Sequence, residues 1–336
     1  MSFDVATLSL KGAPTAVVEG VFTHMDAGAA QYAISATGTL AYASGRFMSD
    51  ERQLVWVDRK GAIRPVTQAR RAYWDVALSP DASRIASTAL EDSAAVWIHD
   101  IDRDTDTLLT SDRPGWGPVW TPDGSAVVFT SGADLYRVRA DGSRPPDLVL
   151  ASPFEKVAES FTPDGKRLVY GEFDREARYN LRILTLADGR TEPLGSPAHG
   201  GSVRVSPDGR WVAYEGDEAG WSEVYVRPFG GGEGRWLVSA GSGGQPVWTR
   251  GGREIFYRNR RDGALMTADI TPGPPLRVGK PRVVLAGVFF VQGPRGSQDA
   301  TPDGERFLLI AEGSQPPVQQ IHVVLNWLEE LRRTRP

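Results

Sequence analysis

One tetrapeptide pattern, Ser/Thr-Pro-Asp-Gly, constrains this chain more than any other feature. It stands at 121–124, 162–165, 206–209 and 301–304, with a near match in Ser79-Pro80-Asp81-Ala82. Two degenerate copies keep the flanking pattern, Ser35-Ala36-Thr37-Gly38 and Thr249-Arg250-Gly251-Gly252. Their third positions fall at 37, 81, 123, 164, 208, 251 and 303, a period of 41–44 residues until a last step of 52. Proline presets φ for the first corner of a type I turn, aspartate tolerates the second, and glycine takes the left-handed position that follows. Each copy is therefore a tight hairpin turn.

Short runs rich in Val, Ile, Tyr and Trp flank every turn, as in 118–120 before and 126–129 after the copy at 121. A third run follows a polar loop, at 54–57, 96–99, 135–138, 181–184, 224–227, 265–268 and 321–324, and a fourth closes the unit. Runs of this length and composition, bounded by Gly, Asp and Pro, are strands. Four antiparallel strands per 40–45 residues predict an all-β fold, a β-propeller, and seven turns predict seven blades. The expected blades are 31–68, 73–110, 115–150, 157–194, 200–239, 244–287 and 297–325, in a single domain spanning 1–336. The last blade lacks an outer strand. The segment Gly12-Ala13-Pro14-Thr15 through Phe22 parallels Gly279-Lys280-Pro281-Arg282 through Phe289, the outer strand of the sixth blade. Residues 15–22 are thus expected to close the seventh blade, which removes an exposed sheet edge. Residues 3–10 parallel 269–278 without the strand that should come before them, so the chain is expected to begin partway through a repeat. A short helix is expected over 326–334, with Asn326 as N-cap and arginines late.

Composition narrows the chemistry. With 40% apolar and 24% charged residues the chain is globular rather than disordered. It has no cysteine, which excludes disulfides, Cys-ligated metals and a thiol nucleophile. A net charge of −4 gives no basic field, so nucleic acid is not an expected partner. No run of 18 apolar residues predicts membrane insertion, and residues 1–8 lack the basic start of a secretory signal. The default compartment is the cytoplasm, or the outside of the membrane if the chain is part of an anchored protein.

The run Ser206-Pro207-Asp208-Gly209-Arg210-Trp211-Val212-Ala213-Tyr214, followed by Glu223-Val224-Tyr225-Val226-Arg227, resembles the TolB-like, WD40-like (PD40) propeller repeat. Gln245-Pro246-Val247-Trp248, the turn at 301–304 and the terminal Val323-Val324-Leu325-Asn326-Trp327 are similar to the C-terminal propeller of bacterial serine/threonine protein kinases. The resemblance covers approximately 3–333 and implies a sensory or scaffolding module. Kinase activity is not implied, because the glycine-rich loop, the His-Arg-Asp loop and the Asp-Phe-Gly motif are all missing.

Few residues offer chemistry. The repeated aspartates read as turn formers, and Trp120, Trp211 and Trp248 as core. His99 and His322 fall within third strands. The run Asp100-Ile101-Asp102-Arg103-Asp104-Thr105-Asp106 mimics a calcium loop but has Thr105 where glycine is needed and Ser111 where glutamate is needed. The glycine runs 230–234 and 241–244 precede no helix and are not phosphate cradles. No Gly-x-Ser-x-Gly elbow exists. No catalytic residue, cofactor or metal is expected. The candidate ligand site is the channel mouth, where connections into the first strands converge: Tyr73, Trp74, Trp116, Glu155, His199, Gln245 and Arg295. The loops between second and third strands share that face, among them Glu172, Arg178, Trp221, Arg258 and Arg260. Aromatic and charged groups round a concave mouth suit a peptide, protein or small-molecule ligand. The alternative is a propeller enzyme, a lyase or hydrolase on a saccharide, built around His199. A purely structural propeller would instead show a flat apolar patch.

Overall fold

A computed structural model describes residues 2–4, 9–11, 18, 20–21, 30–44, 52–91, 93–176, 178–195, 201–217, 219–273, 275–286, 296–312, 320–327 and 329. The chain divides into two compact units, Asp50–Glu312 and a smaller one of Met1–Ser49 with Gly313–Pro336.

Within Asp50–Glu312 the described strands form six antiparallel sheets. Sheet A contains Tyr73–Leu78, Arg84–Leu90, Ala94–Asp100 and Thr105–Leu108, and sheet B Trp116–Trp120, Ala126–Ser131, Asp134–Arg139 and Asp147–Leu150. Sheet C contains Lys156–Phe161, Arg167–Phe173, Tyr179–Thr185 and Thr191–Pro193, and sheet D Arg204–Val205, Trp211–Gly216, Glu223–Pro228 and Trp236–Leu237. In sheet E the strands Gly244–Thr249, Glu254–Arg258 and Leu265–Thr271 are followed by Arg277–Val278 and Arg282–Leu285, both paired with Leu265–Thr271. Sheet F is made from two ends of the chain, Gln298–Ala300 and Arg306–Ala311 with Gln53–Asp58 and Ile63–Pro65. The first strands of A to F neighbour one another in a closed cycle, F meeting A. This is a β-propeller.

Closure by sheet F corrects the expected division into blades. The strands expected to open the first blade, Tyr32–Ile34 and Leu40–Ser44, pair instead with Gln320–Val324, the expected third strand of the last blade. These three form a separate sheet in the smaller unit. Packing explains the exchange. Leu40–Ser44 and Arg306–Ala311 stand at the same offset from their turns and compete for one register on Gln53–Asp58. Phe307 pairs with Val57 and Leu309 with Val55, all four in one buried core with Phe256 and Leu265. The rival strand would set Ala41 and Ala43 in those places. Losing a buried Phe or Leu in favour of Ala costs about 2–5 kcal/mol each. Of the expected closing strand, 15–22, residues 18, 20 and 21 are described, and Val21 bridges Ser44; the rest lies outside the described residues. Most of the expected helix 326–334 lies outside them too. Asn326 is left-handed at φ 57°, not in an N-cap conformation, and the Trp327 N–H donates to Gly38 O.

The turns behave as read. The Ser79 hydroxyl donates to Asp81 Oδ1 at 2.6 Å and accepts from Arg84 N at 2.9 Å. The same hydroxyl–carboxylate bond recurs at Thr121–Asp123, Thr162–Asp164, Ser206–Asp208 and Thr301–Asp303. The hydroxyl bond holds Asp81 down to about 2, below the ordinary carboxylate range. Gly124, Gly165, Gly209 and Gly304 take the left-handed position, and Ala82 is forced into it at φ 57°.

Candidate functional site at the mouth of the ring

The inner strands are irregular at the ends away from the turns. Register shifts fall between Tyr73 and Asp75, Trp116 and Val119, Ala158 and Ser160, and Gly244 and Val247. Each is a bulge, which re-aims side chains locally. Four residues before three of the turn hydroxyls the backbone is left-handed, at Gly117 (φ 67°), Ser202 (53°) and Gln245 (54°). Glycine takes that conformation freely, whereas other residues are strained there by about 1–2 kcal/mol. Ser202 and Gln245 are nonetheless only 4% and 2% exposed. Strain of this kind persists where the surroundings over-determine it.

The surroundings are polar rungs that run from sheet A through to sheet F. Nine residues after the turn hydroxyl, the second strand carries Thr88 in A, Thr130 in B, Glu215 in D and Arg258 in E. Thr88 donates to Asp75 Oδ1 at 2.7 Å and accepts from Gly117 N at 3.1 Å. Thr130 donates to Lys156 O at 2.8 Å. Glu215 accepts from Gln245 N at 3.1 Å and is gripped by Arg260 at 2.6 and 3.0 Å. Arg258 Nε donates to Gln298 Oε1 at 2.9 Å, and Gln298 Nε2 donates to Gln245 O at 2.7 Å. Burial, then the neighbouring Arg260, lowers the Arg258 guanidinium to about 9. In sheet C the position is Gly171, because Tyr179 fills it: a Cβ there would stand 1.8 Å from Tyr179 Cζ. The Tyr179 hydroxyl donates to buried Glu159 at 2.6 Å, and Glu159 Oε2 accepts from Val203 N at 3.0 Å. The rung is thus preserved with different residues.

Lys156 is fully buried at the start of the C inner strand. Its ammonium donates to Phe154 O at 2.7 Å, Ala133 O at 2.9 Å and Ser152 O at 3.2 Å, with Asp134 Oδ1 at 3.4 Å. It ties two segments of the B–C mouth together, the turn at Ala133–Asp134 and the connection at Ser152–Phe154.

Among the seven sequence candidates, Trp74 and Trp116 are half-buried and Glu155 is exposed at this end. Gln245 is the strained residue described above. Tyr73 is buried, its carbonyl accepts from Arg52 Nη1 at 3.1 Å, and burial pushes its phenol up to about 12. Tyr73 therefore positions the strand. His199 and Arg295 lie outside the described residues. Of the loop candidates, Arg178 is held by Asp174, and Glu172 accepts from the Ser152 hydroxyl at 2.8 Å. Ser202, Glu159 and Lys156 were missed as contributors, although the constant offset from the turns marks Ser202 beside Gly117 and Gln245. The buried His99 ring shares Nδ1 with Asp106 at 2.9 Å, and Asp106 also holds Arg71. The aspartate run is thereby spent on local contacts. Among the described residues no group of three or more His, Asp or Glu could hold a metal ion.

The solved structures most informative for this geometry include a TolB assigned in Agrobacterium tumefaciens, 15% identical, with a TM-score of 0.62 over 80% of this chain and all of that one. The fold is that of a TolB-like propeller. An oligogalacturonate lyase in complex with manganese is also 15% identical, with a TM-score of 0.50 over 88% of this chain and 96% of that one. In sequence, an uncharacterised protein of Agrobacterium fabrum is 26% identical over 171 residues, 46% of this chain. The chain spans 58% of that relative's length. No family model matches.

Proposed function

We propose that this chain is a non-catalytic binding module that takes a peptide, protein or small ligand at the mouth of the ring. It serves as the sensory or scaffolding part of a larger bacterial signalling protein, associated with a kinase as the sequence resemblance implies. The observation that carries this is the pair of buried, left-handed residues Ser202 and Gln245 at one repeat position, cross-linked by rungs that fix the mouth. A fixed rim with Trp74 and Trp116 half-exposed on it binds without paying to order itself. A thermal-shift screen of peptides and metabolites tests the reading, repeated on Trp74→Ala, Trp116→Ala and His199→Ala. A ligand that raises the melting temperature of the wild type should lose most of that shift in the tryptophan variants. Undiminished shifts in all three variants would remove the mouth as the site.

The likeness to a manganese-bound lyase supports one other reading, an enzyme acting on an acidic saccharide. Oligogalacturonate with and without added manganese, followed for the ultraviolet absorbance of an unsaturated product, decides between them. Product formation at a rate scaling with protein concentration favours the enzyme.

A further inference from the structure

At the opposite ends of the inner strands, beside the turns, a cavity of about 890 Å³ opens between sheets B and C. Its origin lies in one departure from the repeat. The third-strand residue paired with the third residue of the second strand is Ile98 in A, Ile183 in C, Val226 in D, Thr267 in E and Trp56 in F. All five are buried, and Ile98, Ile183 and Val226 pack against the following sheet. In B the same position, opposite Val128, is Arg137, and it is exposed. Two residues on, Arg139 faces the same gap, and Arg144 stands at its rim.

The floor remains apolar. Val128, Phe161 and Leu184 are buried beneath the cavity, while Leu148 and Leu186 are exposed along its sides. The carboxylates in the wall are largely committed. Asp123 accepts from Thr121 and Ser125, and Asp164 from Thr162 and Lys166, within their turns. Asp141 pairs with Arg139 at 2.8 Å. Asp147 lies across the strand pair from Arg137. Arg137 and Arg144 form no ion pair with a described residue. A guanidinium in place of a core isoleucine, over an apolar floor, calls for an acidic group attached to something apolar. The volume is that of a pocket for a small organic ligand, roughly 300–1,000 Å³.

We infer that this cavity binds a small amphipathic anion, an apolar body carrying one carboxylate or phosphate, with its charge on Arg137 and Arg144. The proposal is independent of the mouth. Calorimetric titration of the whole chain with decanoate and with decyl phosphate, below their micelle concentrations, tests it, with decyltrimethylammonium as the control of opposite charge. One or both anions should bind saturably and at least ten-fold more tightly than the cation, and their order tells carboxylate from phosphate. Arg137→Ile, which installs the residue found at 98 and 183, should abolish binding while leaving the melting temperature equal or higher. Arg144→Ala should weaken binding about ten-fold. If Arg137→Ile does not fold, Arg137→Gln removes the charge at similar size and should show the same loss. Equal binding of the cation, unchanged binding by the position-137 variant that folds, or no saturable binding of either anion overturns the inference.

Discussion

The two compact units use the same repeat and reach different ends with it. In Asp50–Glu312, the strand Arg306–Ala311 meets Gln53–Asp58 through Phe307, Leu308, Leu309 and Ile310, none of them exposed. In the smaller unit, Leu40–Ser44 meets Gln320–Val324, where Ile321 and Val323 are 79% and 60% exposed opposite Ala43 and Ala41. The offset of each strand from its turn is shared, and the strands differ in length by one residue. What differs is the volume at two side-chain positions. A repeat motif therefore dictates that a strand forms, while the bulk on its faces dictates which strand it joins.

The largest expected effect tests that contrast directly. Phe307→Ala should destabilise the ring by about 3–5 kcal/mol, whereas Ile321→Ala should change stability by less than about 0.5 kcal/mol. Urea unfolding of both variants measures the difference, and comparable losses would mean that bulk does not decide the pairing. Next in size is the strain at Ser202 against that at Asn326. Ser202→Gly should stabilise the ring by up to about 1 kcal/mol, because glycine accepts the left-handed backbone. Asn326→Gly in the smaller unit should be nearly silent, since asparagine tolerates that region. A destabilised Ser202→Gly would show that its side chain matters more than its backbone.

The smallest effect concerns acid. Five of the ring's turns carry an aspartate, but in the smaller unit the turn is held by a Ser35–Thr37 hydroxyl pair at 3.0 Å and by Thr39 N donating to Ser35 at 2.9 Å. Asp81 sits at about 2 when folded, below the ordinary aspartate value of about 3.9. Folding favours its charged form, so the stabilisation is present above about pH 4 and fades as pH falls toward about 2. Asp81→Asn should flatten part of the acid limb of the ring's melting curve, by under about 1 kcal/mol at this solvated site. An unaltered limb would assign acid sensitivity to other groups.

Much of the ring was legible because its signals are local. The turns, the strands of sheets A to E and the core tryptophans follow from proline, aspartate, glycine and alternating bulk within a few residues. Trp120 Nε1, for instance, donates to Ala77 O at 2.9 Å, tying a first strand to its neighbour. The closure was not legible. Choosing Arg306–Ala311 over Leu40–Ser44 as partner for Gln53–Asp58 depends on packing against Phe256 and Leu265, residues far away in sequence. The mouth was half legible. Trp74, Trp116 and Gln245 came from loop position, but the burial of Tyr73 did not, nor did the replacement of a rung residue by Gly171 with Tyr179. Such substitutions conserve a hydrogen bond while changing every residue that makes it, so no single column of the repeat reveals them.

Sheet F also has a consequence for the order of events in synthesis. Its outer half, Gln53–Asp58 and Ile63–Pro65, leaves the ribosome some 240 residues before its inner half. Through most of translation that early hairpin has no partner, while the strands of sheets A to E emerge behind it in chain order. Long-range pairing of this kind is slow, and open strand edges invite wrong partners. A nascent chain stalled before Arg306 should hold a row of finished sheets with both ends open, and it becomes sensitive to chaperones at that length.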